Sequence, residues 1–273
     1  MTIPRFVIIG GGAMGSAMLA AIRRKSIFPI SACAVIEHSA SRRAFLRRTF
    51  RVRTEAMAED VIGAETSVVV LAVKPQDAKS VMAELNGVLP HRVLVVSIIA
   101  GVSTKTLRRA LAHSRIVRAM PNMPAQIGLG MTAWTSTRGV AAEDRRQARN
   151  IFGALGDELY VKNENLIDAA TAVSGSGPAY VFAFAKAFLA AARRLGFPKR
   201  DALRLVRQTL VGSAALFAGS GKDPGELRRQ VTSKNGTTEA ALRVLERANL
   251  ERILPTALRA AYRRAKEISH ALD

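Results

Sequence analysis

The chain has 273 residues, of which 49% are hydrophobic and 23% charged, a balance that describes an ordered globular protein and excludes a disordered one. Its single cysteine, Cys33, excludes an internal disulfide and any multi-cysteine metal site, and no apolar run reaches the roughly 20 residues of a membrane span. Lysine and arginine number 41 against 21 acids, a net charge of +20 that would favour polyanionic partners. The arginines fall in pairs (Arg42/Arg43, Arg47/Arg48, Arg145/Arg146, Arg193/Arg194, Arg228/Arg229, Arg263/Arg264) without interleaved aromatic residues to stack bases. Solvated helix faces are therefore expected, rather than a nucleic-acid surface.

The first fifteen residues organise the rest. An apolar run, Phe6 to Ile9, reads as a strand; Gly10, Gly12 and Gly15 fit G-x-G-x-x-G; a helix-forming run, Ser16 to Arg24, follows. In that setting the first glycine makes a tight turn, the second lets backbone approach a pyrophosphate, and the third lets helix pack on strand. The helix then presents free N–H groups and a positive dipole end to the anion. With no basic leader before this strand, a signal peptide is not expected and the cytoplasm is the expected compartment.

Further strands are predicted at Ala32–Glu37, Ser67–Val73, Arg92–Ile98, Arg115–Met120, Met131–Thr135 and Glu158–Val161, with amphipathic segments such as Gln76–Leu85 and Thr104–Ala112 between them. Continuous rather than alternating apolar runs suit parallel strands covered on both faces, so a doubly wound α/β sheet is expected. After Asp168 no strand pattern remains. Tyr180 to Leu195 and much of Leu203 to Phe217 are apolar nearly all round, and such helices must be buried on every side. A helical half of this size is expected to complete its core with a second copy. The predicted division is a dinucleotide-binding domain over 1–162 and a helical domain over 163–273.

The candidate site residues lie at strand ends and in two polar clusters. Glu37 closes the second strand, where an acid would hold the adenosine 2′-hydroxyl of NAD; Ser39 and Arg42 would instead suit the 2′-phosphate of NADP, so both cofactors stay open. Ala72-Val73-Lys74-Pro75 ends another strand at the carboxyl edge, where ligands bind in open parallel sheets. Arg118-Ala-Met-Pro121-Asn122-Met-Pro124 ends a further one. Ser174-Gly-Ser176-Gly-Pro178 reads as the capped start of the most apolar helix, with open N–H groups. Val231-Thr-Ser233-Lys-Asn-Gly236-Thr237-Thr238 runs into another helix and makes a cup for a carboxylate. The four histidines, His38, His91, His113 and His270, sit in no motif, no metal-ligand spacing is present, and no nucleophile pairing is visible. A dinucleotide enzyme without a conspicuous acid or base suits a protonated imine, whose carbon is already electrophilic.

Taken in order, the glycine fingerprint, Ala72-Val-Lys74-Pro75, Arg118 to Pro124, Ser174 to Tyr180, and Pro224-Gly-Glu-Leu227 through Thr238-Glu-Ala-Ala-Leu242 resemble the pyrroline-5-carboxylate reductase family over essentially the full length. The resemblance implies a Rossmann-type domain followed by an all-helical dimerisation domain, with homodimers built into larger rings. It implies reduction of Δ1-pyrroline-5-carboxylate to L-proline by NADPH or NADH. It further implies that Ser233, Gly236, Thr237 and Thr238 hold substrate, with Ser176 beside them, and that the Thr238 hydroxyl meets the ring nitrogen. Gly10, Gly12, Ala13, Met14, Gly15, Ala72, Val73, Lys74, Pro75 and Asn122 would bind cofactor. Where the family usually reads Ser-Pro-Gly-Gly, this chain has Ser233-Lys234-Asn235-Gly236. Asn235 tolerates a left-handed backbone, so the turn is expected to survive. The alternatives are a reductase of another cyclic imine, a basic nucleic-acid-binding protein, or a non-catalytic paralogue.

Overall fold

The structure is a computed structural model that describes residues 3–272, apart from the side chains of 270–272, His270 among them. The chain divides into two compact units, Met1–Ser176 with Ala260–Asp273, and Gly177–Arg259.

In the first unit, β1 (Phe6–Ile9), α1 (Ala13–Lys25), β2 (Cys33–Ile36), α2 (Ala40–Phe50) and β3 (Arg53–Glu55) are followed by β4 (Val68–Leu71), α3 (Ala78–Leu85), β5 (Leu94–Ser97) and α4 (Thr104–Leu111). Then come β6 (Ile116–Met120), β7 (Gly130–Ser136), α5 (Ala142–Gly153), β8 (Gly156–Tyr160) and α6 (Asn165–Ala170). The strands form one eight-stranded sheet in the order β3-β2-β1-β4-β5-β6-β7-β8. Every residue of β1, β2, β4 and β5 is buried, because the sheet is covered on both faces. Successive residues serve opposite cores: Phe6 and Ile8 pack with Met18, Leu19 and Ile22 of α1, whereas Val7 and Ile9 pack with Val81, Met82 and Leu85 of α3. Each such side chain contributes about 1.5–3 kcal/mol.

The observed sheet departs from the sequence reading in two places. Arg53–Glu55 pairs with β2 as a short parallel edge strand that carries no apolar run to signal it. And β7 runs antiparallel to β6, so the sheet is not parallel throughout. The connection between them is short: a 3-10 turn at Met123–Ile127 and the left-handed Gly128 (φ 78°) return the chain without a crossover helix. Trp134 on β7 packs edge-on to Tyr160 and tilted to Phe152, and its indole N–H donates to Glu158. Cys33 is fully buried, and burial pushes its thiol up to about 12, so it is inert packing.

His113, buried just after α4, places Nε2 2.8 Å from the Val93 carbonyl. Burial holds its pKa below the usual 6.5, and the Arg115 and His91 charges push the same way against the hydrogen bond. The unfolded chain therefore takes up this proton before the folded chain does. Stability is complete above the unfolded value and falls as pH drops below it. His113→Gln, which keeps a donor but no titration, should lose less Tm than wild type between about pH 7 and pH 5.5. Parallel Tm curves for the two proteins would contradict this.

The second unit is helical: α7 (Gly177–Arg194), α8 (Lys199–Ser220), α9 (Pro224–Gln230), α10 (Thr237–Arg247) and the first part of α11 (Leu250–Leu272). It buries little of its apolar surface within one chain. Only Ala192 is buried on α7, and only Ala202 and Val206 on α8, while Val181, Phe182, Phe184, Val211, Leu216 and Phe217 each stand more than half exposed. None of the described helices is long and apolar enough to cross a membrane.

Candidate functional site

The carboxyl edge of the sheet holds a cleft of about 300 Å³ whose lining includes Gly10, Gly12, Glu37, Ala72, Val73 and Lys74. Gly10 has φ +100°, and a Cβ there would lie 2.7 Å from the Ala72 carbonyl oxygen, so the turn requires glycine. A Cβ at Gly15 would collide with the Gly10 carbonyl, which is the close helix–strand approach the motif demands. Gly12 is different: its φ of −63° suits any residue, and a Cβ there would meet nothing within 4 Å. The empty space lies in front of the α1 N-terminus, whose N–H groups are open to an anion. That cradle fits a dinucleotide pyrophosphate. Ala13 and Met14 open α1, and Pro75 opens a 3-10 turn, Pro75–Asp77, that leads into α3. His38, Asp77 and Ser80 also line the cleft. Nothing in the sequence marks Asp77 and Ser80, because their placement depends on how that turn aims α3.

Polar contacts at the cleft rim bear on cofactor choice. Glu37 accepts the Gly11 N–H at Oε2 (3.0 Å) and the Ser39 N–H at Oε1 (2.9 Å). Arg42 is folded onto the glycine turn: Nε donates to the Gly11 carbonyl (2.7 Å), and Nη2 to Ser16 Oγ (2.8 Å) and the Gly12 carbonyl. Arg43 donates to the Glu37 and His38 carbonyls, 2.7 and 2.8 Å away. Ser39 Oγ caps α2 by accepting the Arg42 N–H. The cations closest in sequence to the ribose position thus already spend part of their donor set on backbone and hydroxyl partners.

Asn122, at the end of β6, spends both ends of its amide inside the unit. Oδ1 accepts the Met131 N–H (2.8 Å) and Nδ2 donates to the Ser174 carbonyl (3.0 Å). Arg118 beneath it is buried and ion-paired with Asp168 and Glu164, and Glu164 in turn accepts from the Thr104 N–H and hydroxyl. These links pin the loop after β6. The Ser174–Pro178 stretch is not an open helix start. Thr171–Gly175 forms a π turn continuing α6, and the Ser176 N–H donates to the Thr171 carbonyl at 2.8 Å. Ser176 is a bend, α7 starts at Gly177, and Pro178 sits in its first turn, where the missing N–H breaks no helical bond.

In the helical unit, Ser233 to Gly236 turns tightly into α10. Asn235 adopts φ +59°, the left-handed conformation that Asn tolerates best among residues with a side chain. Its N–H donates to Glu239 Oε2 (2.7 Å). That bond first, and the Arg243 partner second, hold the Glu239 carboxyl below the usual range. Gly236 donates to the Ser233 carbonyl (3.0 Å), and a Cβ there would collide with Ser233 Oγ. The N–H groups of the first turn of α10 have no intrahelical acceptor. Thr238 is half-buried, and among the described residues nothing hydrogen-bonds its hydroxyl, in contrast to Thr232, which donates to the Arg228 carbonyl.

A glycine cradle at the carboxyl edge of a mostly parallel sheet, followed by an under-buried helical unit, defines a dinucleotide-dependent oxidoreductase with a dimerising helical region. Residues 5–101 match a family model described as NADP oxidoreductase coenzyme F420-dependent, and residues 164–268 match one described as pyrroline-5-carboxylate reductase dimerisation. Curated pyrroline-5-carboxylate reductases are similar along the whole chain. That of Synechocystis sp. is 39% identical over 261 residues, covering 96% of this chain and 97% of the relative. That of Pseudomonas aeruginosa is 38% identical over 274 residues, covering 100% and 99%. A solved pyrroline-5-carboxylate reductase from Coxiella burnetii superposes with a TM-score of 0.90 at 35% identity, covering 98% of this chain and 99% of that one. A Plasmodium falciparum pyrroline carboxylate reductase with NADP bound gives 0.86 at 27%, covering 97% and 98%. The chain belongs to the pyrroline-5-carboxylate reductase family.

Proposed function

We propose that this protein reduces Δ1-pyrroline-5-carboxylate to L-proline with NADH or NADPH. Residues 1–162 would carry the dinucleotide and 163–273 the substrate and the dimer contact. The observation that carries the reading is the α10 start, where an unengaged Thr238 hydroxyl stands beside unpaired backbone N–H groups and Ser233. Those N–H groups and the Ser233 hydroxyl would grip the substrate carboxylate, with Thr237 beside them, while the Thr238 hydroxyl hydrogen-bonds the ring nitrogen. Lys234 adds a cation at the rim, and the Glu239 charge is offset by Arg243. The bound nicotinamide supplies the hydride. The chain's own part is to fix the imine carbon in reach and exclude competing orientations, which can account for several orders of magnitude in rate. Asn122 acts by holding the loop after β6, and Ser176 by its place at the end of the π turn. Homodimers in the cytoplasm, assembled into a larger ring, are the proposed physiological form.

Purified protein mixed with pyrroline-5-carboxylate should lose reduced-nicotinamide absorbance with either cofactor. No substrate-dependent loss with both would overturn the proposal. We further expect NADH to compete seriously with NADPH, because Glu37 stands at the cleft rim and Arg42 and Arg43 are already engaged. Replacing Glu37 with Gln removes a charge that repels a 2′-phosphate and should move the kcat/KM ratio toward NADPH by about tenfold. An unchanged ratio would remove Glu37 from cofactor selection.

A further inference from the structure

A second cavity of about 520 Å³ opens at the opposite edge of the sheet, where His91 precedes β5 and Ser114 precedes β6. Its lining combines those two residues with His113 and with Lys105, Arg108 and Arg109 of α4. No acid lines it. The three α4 cations share one helix face by their i, i+3, i+4 spacing, while Thr106, Leu107 and Leu111 form the buried face. Like charges at that spacing repel one another unless something compensates. The helix dipole accounts for Arg108 and Arg109 in the last turn but opposes Lys105 in the first. Neither Lys105 nor Arg108 has an ion pair or side-chain hydrogen bond with any described residue, whereas Arg118, Arg115 and Arg149 of the same unit are paired with acids. The Arg108 carbonyl, which would repel an anion, already accepts the N–H groups of Ala112 and His113.

We propose that this cavity binds a small multivalent phosphate-class anion, held by Lys105 and Arg108 with Arg109 and the histidines beside them. Guanidinium groups match phosphate oxygens in pairs, and several of them converging on one concavity suit an anion carrying more than one charge. A polynucleotide fits less well, because the charges converge on one short helix and, among the described residues, the only rings in the lining are the imidazoles of His91 and His113, the latter buried against the Val93 carbonyl.

The test is calorimetric titration of the intact oligomer with tripolyphosphate at low ionic strength, with saturating NADPH to fill the glycine cradle. Saturable binding is expected. The double variant Lys105→Gln/Arg108→Gln should weaken it by about tenfold or more, the worth of at least one hydrogen bond to a charged group, with Tm and reductase activity unchanged. Three results would overturn the proposal: no saturable binding to wild type, equal binding to the double variant, or a single-stranded oligonucleotide of equal charge binding more tightly through the same two residues.

Discussion

Replacing Thr238 with alanine should lower kcat by about a hundredfold, the usual scale for a group that donates or accepts a proton at the reacting centre, and leave the fold intact. Thr238 lies in the first turn of α10, is half-buried, and has a hydroxyl that no described residue engages. Its removal therefore breaks no internal hydrogen bond, and the change in Tm should be small. A loss of kcat with KM little altered would place the hydroxyl at the developing amine rather than in substrate capture. Thr238→Ser keeps the hydroxyl and should recover most of the rate. The neighbouring Thr237→Ala should act mainly on KM, since the proposed role of that residue is carboxylate binding. If Thr238→Ala turns over like wild type, the hydroxyl makes no bond to the ring nitrogen that strengthens in the transition state, and Thr238 leaves the mechanism.

The sequence made this residue visible because hydroxyls and a glycine crowd a helix start, more than simple capping needs. The left-handed Asn235 was also foreseeable, since the turn must reverse within Ser233 to Gly236 and Asn is the residue there that tolerates φ near +59°. The glycine cradle was legible for a similar reason: Gly10 and Gly15 face backbone atoms that exclude a side chain. Other features leave no trace in residue type. Arg53-Thr-Glu55 is a strand only because β2 offers it an edge, and its charged residues carry no period. The π turn at Thr171–Gly175 resembles a glycine-serine break until the hydrogen bond from Ser176 to Thr171 is seen. The engagement of Arg42 by Gly11, Gly12 and Ser16 depends on how α2 lies against the glycine turn, which local pattern cannot report. The basic cavity joins one face of α4 and the turn that ends it to His91, which only the folded sheet brings beside them.

The paired substitution Phe182→Asp/Phe184→Asp should convert the protein to monomers and abolish reduction. Both rings are more than half exposed on α7, and Phe184 meets Phe188 in a tilted contact with centroids 5.8 Å apart. A helix as apolar as α7 that buries only Ala192 within its own chain must find its cover in a second copy, in line with the match of residues 164–268 to a dimerisation model. In a two-fold dimer each substitution is felt on both subunits, so two half-exposed rings per chain remove roughly 3–6 kcal/mol of apolar burial, before the cost of burying carboxylates. That is about a quarter to a half of the association free energy of a nanomolar dimer, about 12 kcal/mol, and four carboxylates placed in the contact add to the loss. Sedimentation should therefore show monomer at micromolar concentration. The first unit buries its own core and should still bind NADPH, which a fluorescence titration would report, so loss of activity with retained cofactor binding separates monomerisation from unfolding. A variant that sediments as a dimer would mean that these rings lie outside the contact, and the exposed faces of α8 would then have to supply it.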